Sequence, residues 1–215
     1  MQMRLALRHR LGLPPADDIS QASCPLCDEV DITPCHFHAC KQLRGGVVTH
    51  RHDDLLKAVE LLAREARGHC WLEPKGLHEE HGQRPDGIIY GRSLRRTMID
   101  VSIVTSTCKS YTAGNRTVKA NITKRESDKV KKYKEMAATA ECTFVAVVFD
   151  SYGTVSDETR ELLHHLAQSH TEVPEEEDAY YLHALRTLSF ALQAGNAHIS
   201  AIGCERVRTP RPGRR

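Results

Sequence analysis

Apolar residues in this chain follow two rhythms, one helical and one alternating, with stretches between that follow neither. Leu55, Val59, Leu62 and Ala66 recur at helical spacing. Thr49 is placed to cap that helix, Asp53 and Asp54 fall in its first turn, and Gly68 is placed to end it. Residues 3–13 predict a short helix closed by Pro14-Pro15. Short strand-like runs follow at 70–73, 87–90 and 97–105, the last alternating Ile99, Val101 and Ile103 against Asp100 and Ser102. Residues 106–122 read as an irregular loop. Residues 124–140 read as a helix with Val130, Tyr133, Ala137 and Ala140 on one face. The run 142–149 is apolar on both faces, which predicts a central strand. Ser156 then caps a helix bearing Leu162, Leu163 and Leu166, and a last helix spans 178–194 with Gly195 as its stop.

This succession of elements predicts an α/β protein. A length of 215 residues accommodates one such domain and a small accessory module. The divisions that follow are a helix and linker at 1–19, a cysteine-rich module at 20–46 joined at Gly45-Gly46, and a core at 47–170. An acidic linker with a final helix occupies 171–204, and a basic, disordered tail 205–215. The net charge of +2 does not by itself argue for nucleic acid. Its distribution says more: Lys and Arg crowd into 124–134 and 206–215, which nominates Lys124, Arg125 and Lys131 as nucleic-acid contacts. No apolar run approaches the roughly 20 residues a membrane span needs. The sequence opens without a secretory signal, so its cysteines are expected in a reducing compartment, where C-x-x-C reads as metal before disulfide.

The segment 16–46 has few periodic apolar positions but holds four cysteines and two histidines, so it needs a metal to order it. Cys24-x2-Cys27-x8-His36-x3-Cys40 supplies three thiolates and one imidazole, a set suited to tetrahedral, structural zinc. Cys35 and His38 lie in the same segment and compete with His36 for the third ligand position. Such compact knuckles also serve as nucleic-acid modules.

The stretch from Arg84 to Val104 carries a sharper inference. If 87–90 and 97–105 are antiparallel neighbours with a turn centred on Ser93, Asp86 lies opposite Asp100 on one sheet face. Two carboxylates so placed repel unless a cation joins them. Mg²⁺ is suited to one or two carboxylates with waters and phosphate oxygens. The plainer alternative is a turn aspartate and an exposed strand aspartate. Asp is depleted inside strands, and Asp100 sits in an otherwise apolar run, which favours the functional reading.

With CPLC at 24–27, HFHAC at 36–40, RHDDLL at 51–56, WLEP at 71–74, RPD at 84–86, MIDVSIV at 98–104 and KVKKY at 129–133, the sequence resembles the restriction-like endonuclease domain of site-specific non-LTR retrotransposon proteins. The resemblance covers about residues 20–150 and rests on the order and spacing of these motifs. It implies a PD-(D/E)xK fold, a mixed sheet flanked by helices, behind a small N-terminal zinc knuckle. Many members of that fold place a lysine two residues after the second acid, where this chain has Ser102. The resemblance instead implies a lysine from the following helix: Lys129, with Lys132 as the alternative and Tyr133 beside it. Glu73 becomes a candidate third acid, or simply the residue that ends a strand. Arg51 and His52 match the family's RH pair, as DNA contacts or as a brace between knuckle and core. The implied activity is Mg²⁺-dependent nicking of duplex DNA, with RNA a second candidate partner. The domain normally belongs to a larger protein that carries a polymerase, and the implied location is the nucleus, with a cytoplasmic pool. A catalytically silent nucleic-acid-binding protein is the alternative.

Overall fold

The computed structural model of the chain describes residues 2–19, 23–24, 26–30, 35–43, 46–75, 84–112 and 116–209. Among them a four-stranded sheet carries the carboxylate candidates Asp86 and Asp100. Its strands β1 (Gly68–Leu72), β2 (Gly87–Gly91), β3 (Thr97–Val104) and β4 (Thr143–Asp150) lie side by side in that order. β1, β2 and β3 are antiparallel neighbours, whereas β4 pairs with β3 in parallel. The helices are α1 (Gln2–Arg10), α2 (Gly46–Glu65), α3 (Lys109–Thr112), α4 (Val118–Thr139), α5 (Asp157–His170) and α6 (Pro174–Arg208). A parallel pair requires a long crossover, and α4 provides it between β3 and β4.

Alternation along the strands divides the core into two layers. Ile89, Ile99, Val101, Val147 and Phe149 meet Leu55, Val59 and Leu62 of α2, Leu163 and Leu166 of α5, and Leu188 of α6 in the main cluster. The opposite face sends Ile88 and Met98 against Tyr133, Met136 and Ala137 of α4. It also sends Val104, Ala146 and Val148 against Ile122. The sheet is mixed and flanked by helices, as the elements predict.

Several boundaries differ from the sequence reading. α2 begins at Gly46, so Thr49 sits inside the helix rather than capping it. Gly68 opens β1 instead of stopping α2, and Arg67 takes the left-handed turn at φ 59°. The supposed loop 106–122 contains α3 and the first turn of α4. The Thr117 side chain caps α4 by accepting from Ala120 N at 3.2 Å. The start of α4 is largely polar, which hid its period.

β4 is an edge strand, not a central one. Its apolar character on both faces comes from α4 on one side and α5 on the other. Its open edge is closed by α5: Glu158 Oε2 accepts from Ala146 N at 3.3 Å, and Thr159 Oγ1 accepts from Val148 N at 3.0 Å. An edge whose donors are met by side chains cannot template a further strand there.

α6 runs straight through Gly195, the predicted stop, to Arg208. A Cβ at Gly195 would fall 2.5 Å from Arg51 Cγ, and one at Gly203 would fall 2.4 Å from Phe37 Cδ2. Both glycines let other elements approach the helix closely. The start of the supposed tail is helical as well: Arg206 Nη1 donates to Gln42 O at 2.9 Å, and Arg208 pairs with Asp18 at 2.9 Å. Gly45 and residues 210–215 lie outside the described residues.

Candidate functional site

The N-terminal cysteines and His36 come together through tight local turns. Asp28 N donates to Cys24 O at 2.8 Å and Cys24 N to Glu29 O at 2.8 Å, with Asp28 at φ 57°. His36 enters on a one-turn 3₁₀ helix, His36–His38, and Cys40 precedes another, Lys41–Leu43. The ligand atoms of Cys24, Cys27, His36 and Cys40 all lie within 4.8 Å of one another. Cys24 Sγ and Cys40 Sγ are 3.9 Å apart, and Cys27 Sγ and His36 Nε2 are 3.3 Å apart. Two sulfurs on one tetrahedral zinc, each bonded at about 2.3 Å, sit roughly 3.8 Å apart. The four residues could therefore hold a metal such as zinc. Burial raises the Cys24 thiol and pushes that of Cys40 up to about 12, a cost that a thiolate-binding cation would offset.

Of the three candidates for the third position, only His36 joins this group. Cys35 Sγ lies 2.6 Å from Thr107 Oγ1, on the core side. His38 is buried, with Nδ1 3.1 Å from Arg51 Nη1 and Nε2 3.4 Å from Ser200 Oγ. The module does not stand apart from the rest of the chain. Cys24, Phe37, Cys40 and Leu43 share a core cluster with Ile199 and Cys204 of α6.

Arg51 and His52, adjacent on α2, take different polar partners. Arg51 is 3% exposed and donates to Asn196 Oδ1 at 2.8 Å as well as meeting His38. Burial lowers its pKa to about 10, and the Asp150 carboxylate partly offsets this. Of the two roles open to it, it takes the brace between knuckle and core. This geometry does not favour the expected nucleic-acid contact: Arg51 borders the cleft described next, but its guanidinium is engaged by His38 and Asn196. The neighbouring His9 ring stacks on Tyr152 at 4.6 Å and lies tilted against His38 at 4.2 Å. Burial lowers the pKa of His9 and, more strongly, that of His38.

His52 points into the second site. This is a cleft of about 250 Å³ between α2 and α4, with Asp86, Asp100, Ser102, Arg125 and Lys129 among the residues that line it. The register Gly87↔Ile99 brings Asp86 alongside Asp100, one step beyond the last paired residues. Asp86 Oδ2 accepts from Val101 N at 2.6 Å and lies 3.0 Å from His52 Nε2. That bond is the chief reason the His52 pKa is pushed up to about 9, which makes the ring a cation at neutral pH. Asp100 is 3% exposed, and its Oδ2 receives the Lys129 ammonium at 2.6 Å. Tyr133 packs inward one turn along α4 from Lys129, and its hydroxyl donates to Arg84 O at 3.0 Å. Burial, together with the nearby Asp100, raises the Tyr133 pKa.

The other sequence candidates do not enter the cleft. Lys132 Nζ donates to the Tyr133 hydroxyl at 3.0 Å. Glu73, just past the end of β1, is more than half exposed and pairs with Arg84 at 2.9 Å. Lys124 is engaged with Asp128 at 3.0 Å on the solvent face of α4, and Lys131 is exposed there. Ser102, passed over in the sequence because its position lacked the lysine, lines the cleft and donates to Asp100 Oδ2 at 3.4 Å. Its alternation in phase with Asp100 was the available signal. No protein-family model matches the sequence and no curated protein matches it. Among the described residues, no helix is long and apolar enough to cross a membrane.

Proposed function

We propose that this protein is a Mg²⁺-dependent DNA endonuclease that nicks its target by phosphodiester hydrolysis on a PD-(D/E)xK-type core, with a structural zinc knuckle at its N-terminal side. The observation that carries this reading is the meeting of Asp86, Asp100 and Lys129 in one open cleft, with the ammonium 2.6 Å from Asp100. The donor set fits the metal. Two carboxylates border one cavity, and the bonds from His52 and Lys129 fall on the Oδ2 atom of each. Held by Asp86 and Asp100, magnesium would lower the pKa of a water and neutralise the scissile phosphate. Lys129 would meet charge developing on the phosphate, and Arg125, beside it, would hold the incoming strand. Lys124 and Lys131 extend the basic surface along α4, where phosphate contacts give salt-sensitive binding. Duplex DNA is the partner this surface suits, with RNA second. A polymerase region of a larger retroelement protein and a nuclear location follow from the same reading.

The test is magnesium-dependent nicking of supercoiled plasmid by purified protein. Asp86→Ala and Asp100→Ala are each expected to abolish nicking while salt-sensitive DNA binding persists. Nicking undiminished in the double variant sinks this site. A second reading, a catalytically silent nucleic-acid-binding protein, is favoured by the ion pairs themselves. Lys129 pairs with Asp100 and His52 with Asp86, which lessens the need of either carboxylate for a cation. Binding without nicking in the wild-type chain would decide for it.

A further inference from the structure

The sheet face that carries Asp86 and Asp100 is only partly covered. α4 lies over β3, β4 and Ile88 of β2, whereas among the described residues no element lies over the outer part of this face, on β1 and the end of β2. The chain's only tryptophan, Trp71, stands there 46% exposed, and Tyr90 is 44% exposed. His69, also exposed, is paired across the strands with Tyr90, their ring centroids 5.6 Å apart. These rings do not hold β1 to the core. Cys70 and Leu72, on the opposite face, pack against the main cluster and anchor the strand. Large aromatic groups left in water on a strand already anchored from behind are surface available for contact.

The position of this surface suggests its ligand. Trp71 pairs with Ile88, and Asp86 lies two residues from Ile88 on the same face. That diagonal is about 7–8 Å between Cα atoms. Two cationic side chains stand close by: Lys132, whose ammonium bonds the Tyr133 hydroxyl, and Arg84, whose guanidinium pairs with Glu73 just past the end of β1. Rings next to cations, beside a cleft that takes a phosphate, match the way single-stranded nucleic acid is held: bases stack on aromatic faces while the backbone follows positive charge. A base pair inside a duplex is stacked on both faces and offers none to Trp71, so a duplex presents faces only at its two ends.

We propose that Trp71, with Tyr90 and His69, forms a stacking platform for unpaired nucleotides next to the carboxylate cleft, so that the favoured substrate carries an unpaired segment at the cleavage position. The proposal deepens the endonuclease reading and rests on it for the choice of nucleic acid as ligand.

The experiment uses the full chain with zinc and without magnesium, so that no strand is cut. An end-labelled single-stranded oligothymidylate and a blunt duplex are titrated separately. Binding is followed by label anisotropy, and stacking by the fluorescence of the single tryptophan. The unpaired strand is expected to quench Trp71 and the duplex to leave it unchanged. Trp71→Ala should weaken binding of the unpaired strand roughly 5- to 150-fold, the range for one lost base stack. Duplex affinity and thermal unfolding should stay the same, and Trp71→Phe should retain most of the strand affinity. Equal quenching by both ligands, no quenching by the unpaired strand, or unaltered strand affinity in Trp71→Ala overturns the platform. So does loss of a concentration-dependent dimer in Trp71→Ala with strand affinity intact, which would make β1 a protein interface. Nicking without quenching overturns the platform alone, and quenching without nicking overturns the nuclease alone.

Discussion

At the scale of single residues, Lys129 and Lys132 are three apart on α4 but meet different partners. Lys129 reaches Asp100 in the cleft, whereas Lys132 reaches the Tyr133 hydroxyl outside it. Lys129→Ala is therefore expected to lower single-turnover nicking by about 10²–10³, the usual effect of removing one donor to a developing oxyanion, with duplex affinity nearly kept. Lys132→Ala should do far less, and the reverse order would exchange their roles. The buried histidines set a pH dependence of the opposite kind to that of His52. His9 and His38 have lowered pKa values because burial disfavours their charged forms. Above about pH 6.5 neither folded nor unfolded state holds the proton. Below it the unfolded chain takes up protons that the folded chain refuses, so stability falls as pH falls. His52, raised to about 9 by Asp86, contributes stability that is complete below about pH 6.5 and is lost as pH rises through 9. Urea midpoints should therefore fall on both sides of neutrality. His9→Phe keeps the ring stack, and Asn196 Nδ2 still donates to Ser151 O at 2.7 Å, so this variant should show a smaller acid loss. An unchanged acid limb would refute the role of His9.

At the scale of elements, α6 shows how packing overrides helix propensity. Alanine in an exposed helix interior is favoured over glycine by about 1 kcal/mol. At Gly195 a methyl group would meet Arg51 Cβ and Cγ at 2.8 and 2.5 Å. Arg51 cannot swing aside without leaving His38 and Asn196. Gly195→Ala is therefore expected to destabilise the protein by about 1–3 kcal/mol, as overpacking does. A raised denaturation midpoint would show that α6 does not press on α2 at this point. β4 makes a related point about apolar runs. Such a run reports that both faces are covered, and says nothing of how many strands lie beside it.

At the scale of the whole molecule, the cysteine-rich module and the α/β core are joined through α6 and α2. Phe37 packs on Gly203, and His38 bonds Arg51, whose neighbour His52 bonds Asp86. Removing metal from the cluster should loosen the C-terminal half of α6 as well as the module. Purified, reduced protein is expected to hold about one zinc per chain, and Cys24→Ser or Cys27→Ser to hold less. Chelation should raise amide exchange at both His36–His38 and Ile199–Arg208. Elemental analysis that finds no zinc, or exchange changes confined to the module, would contradict this coupling.

The sequence by itself determined the elements and their local chemistry. Period and alternation showed most helices and strands, because neighbours within four residues share a face whatever the rest of the chain does. Cys24, Cys27 and Cys40 were legible for the same reason: knuckle turns are short, and their spacing narrows which ligand atoms can meet, although it left the third position open among Cys35, His36 and His38. The Asp86–Asp100 juxtaposition followed from counting back from a turn at Ser93, since strand register has no freedom once the turn is set. What the tertiary structure decided are the partners supplied from afar. Arg51 meets Asn196 across 145 residues of sequence, and Cys35 meets Thr107 across 72. Those contacts turn an apparent DNA-facing arginine into a buried brace and remove Cys35 from the ligand set. They also turn a helix-stopping glycine into a point of close packing. Each follows from which element lies against which, and short-range periodicity carries no information about that.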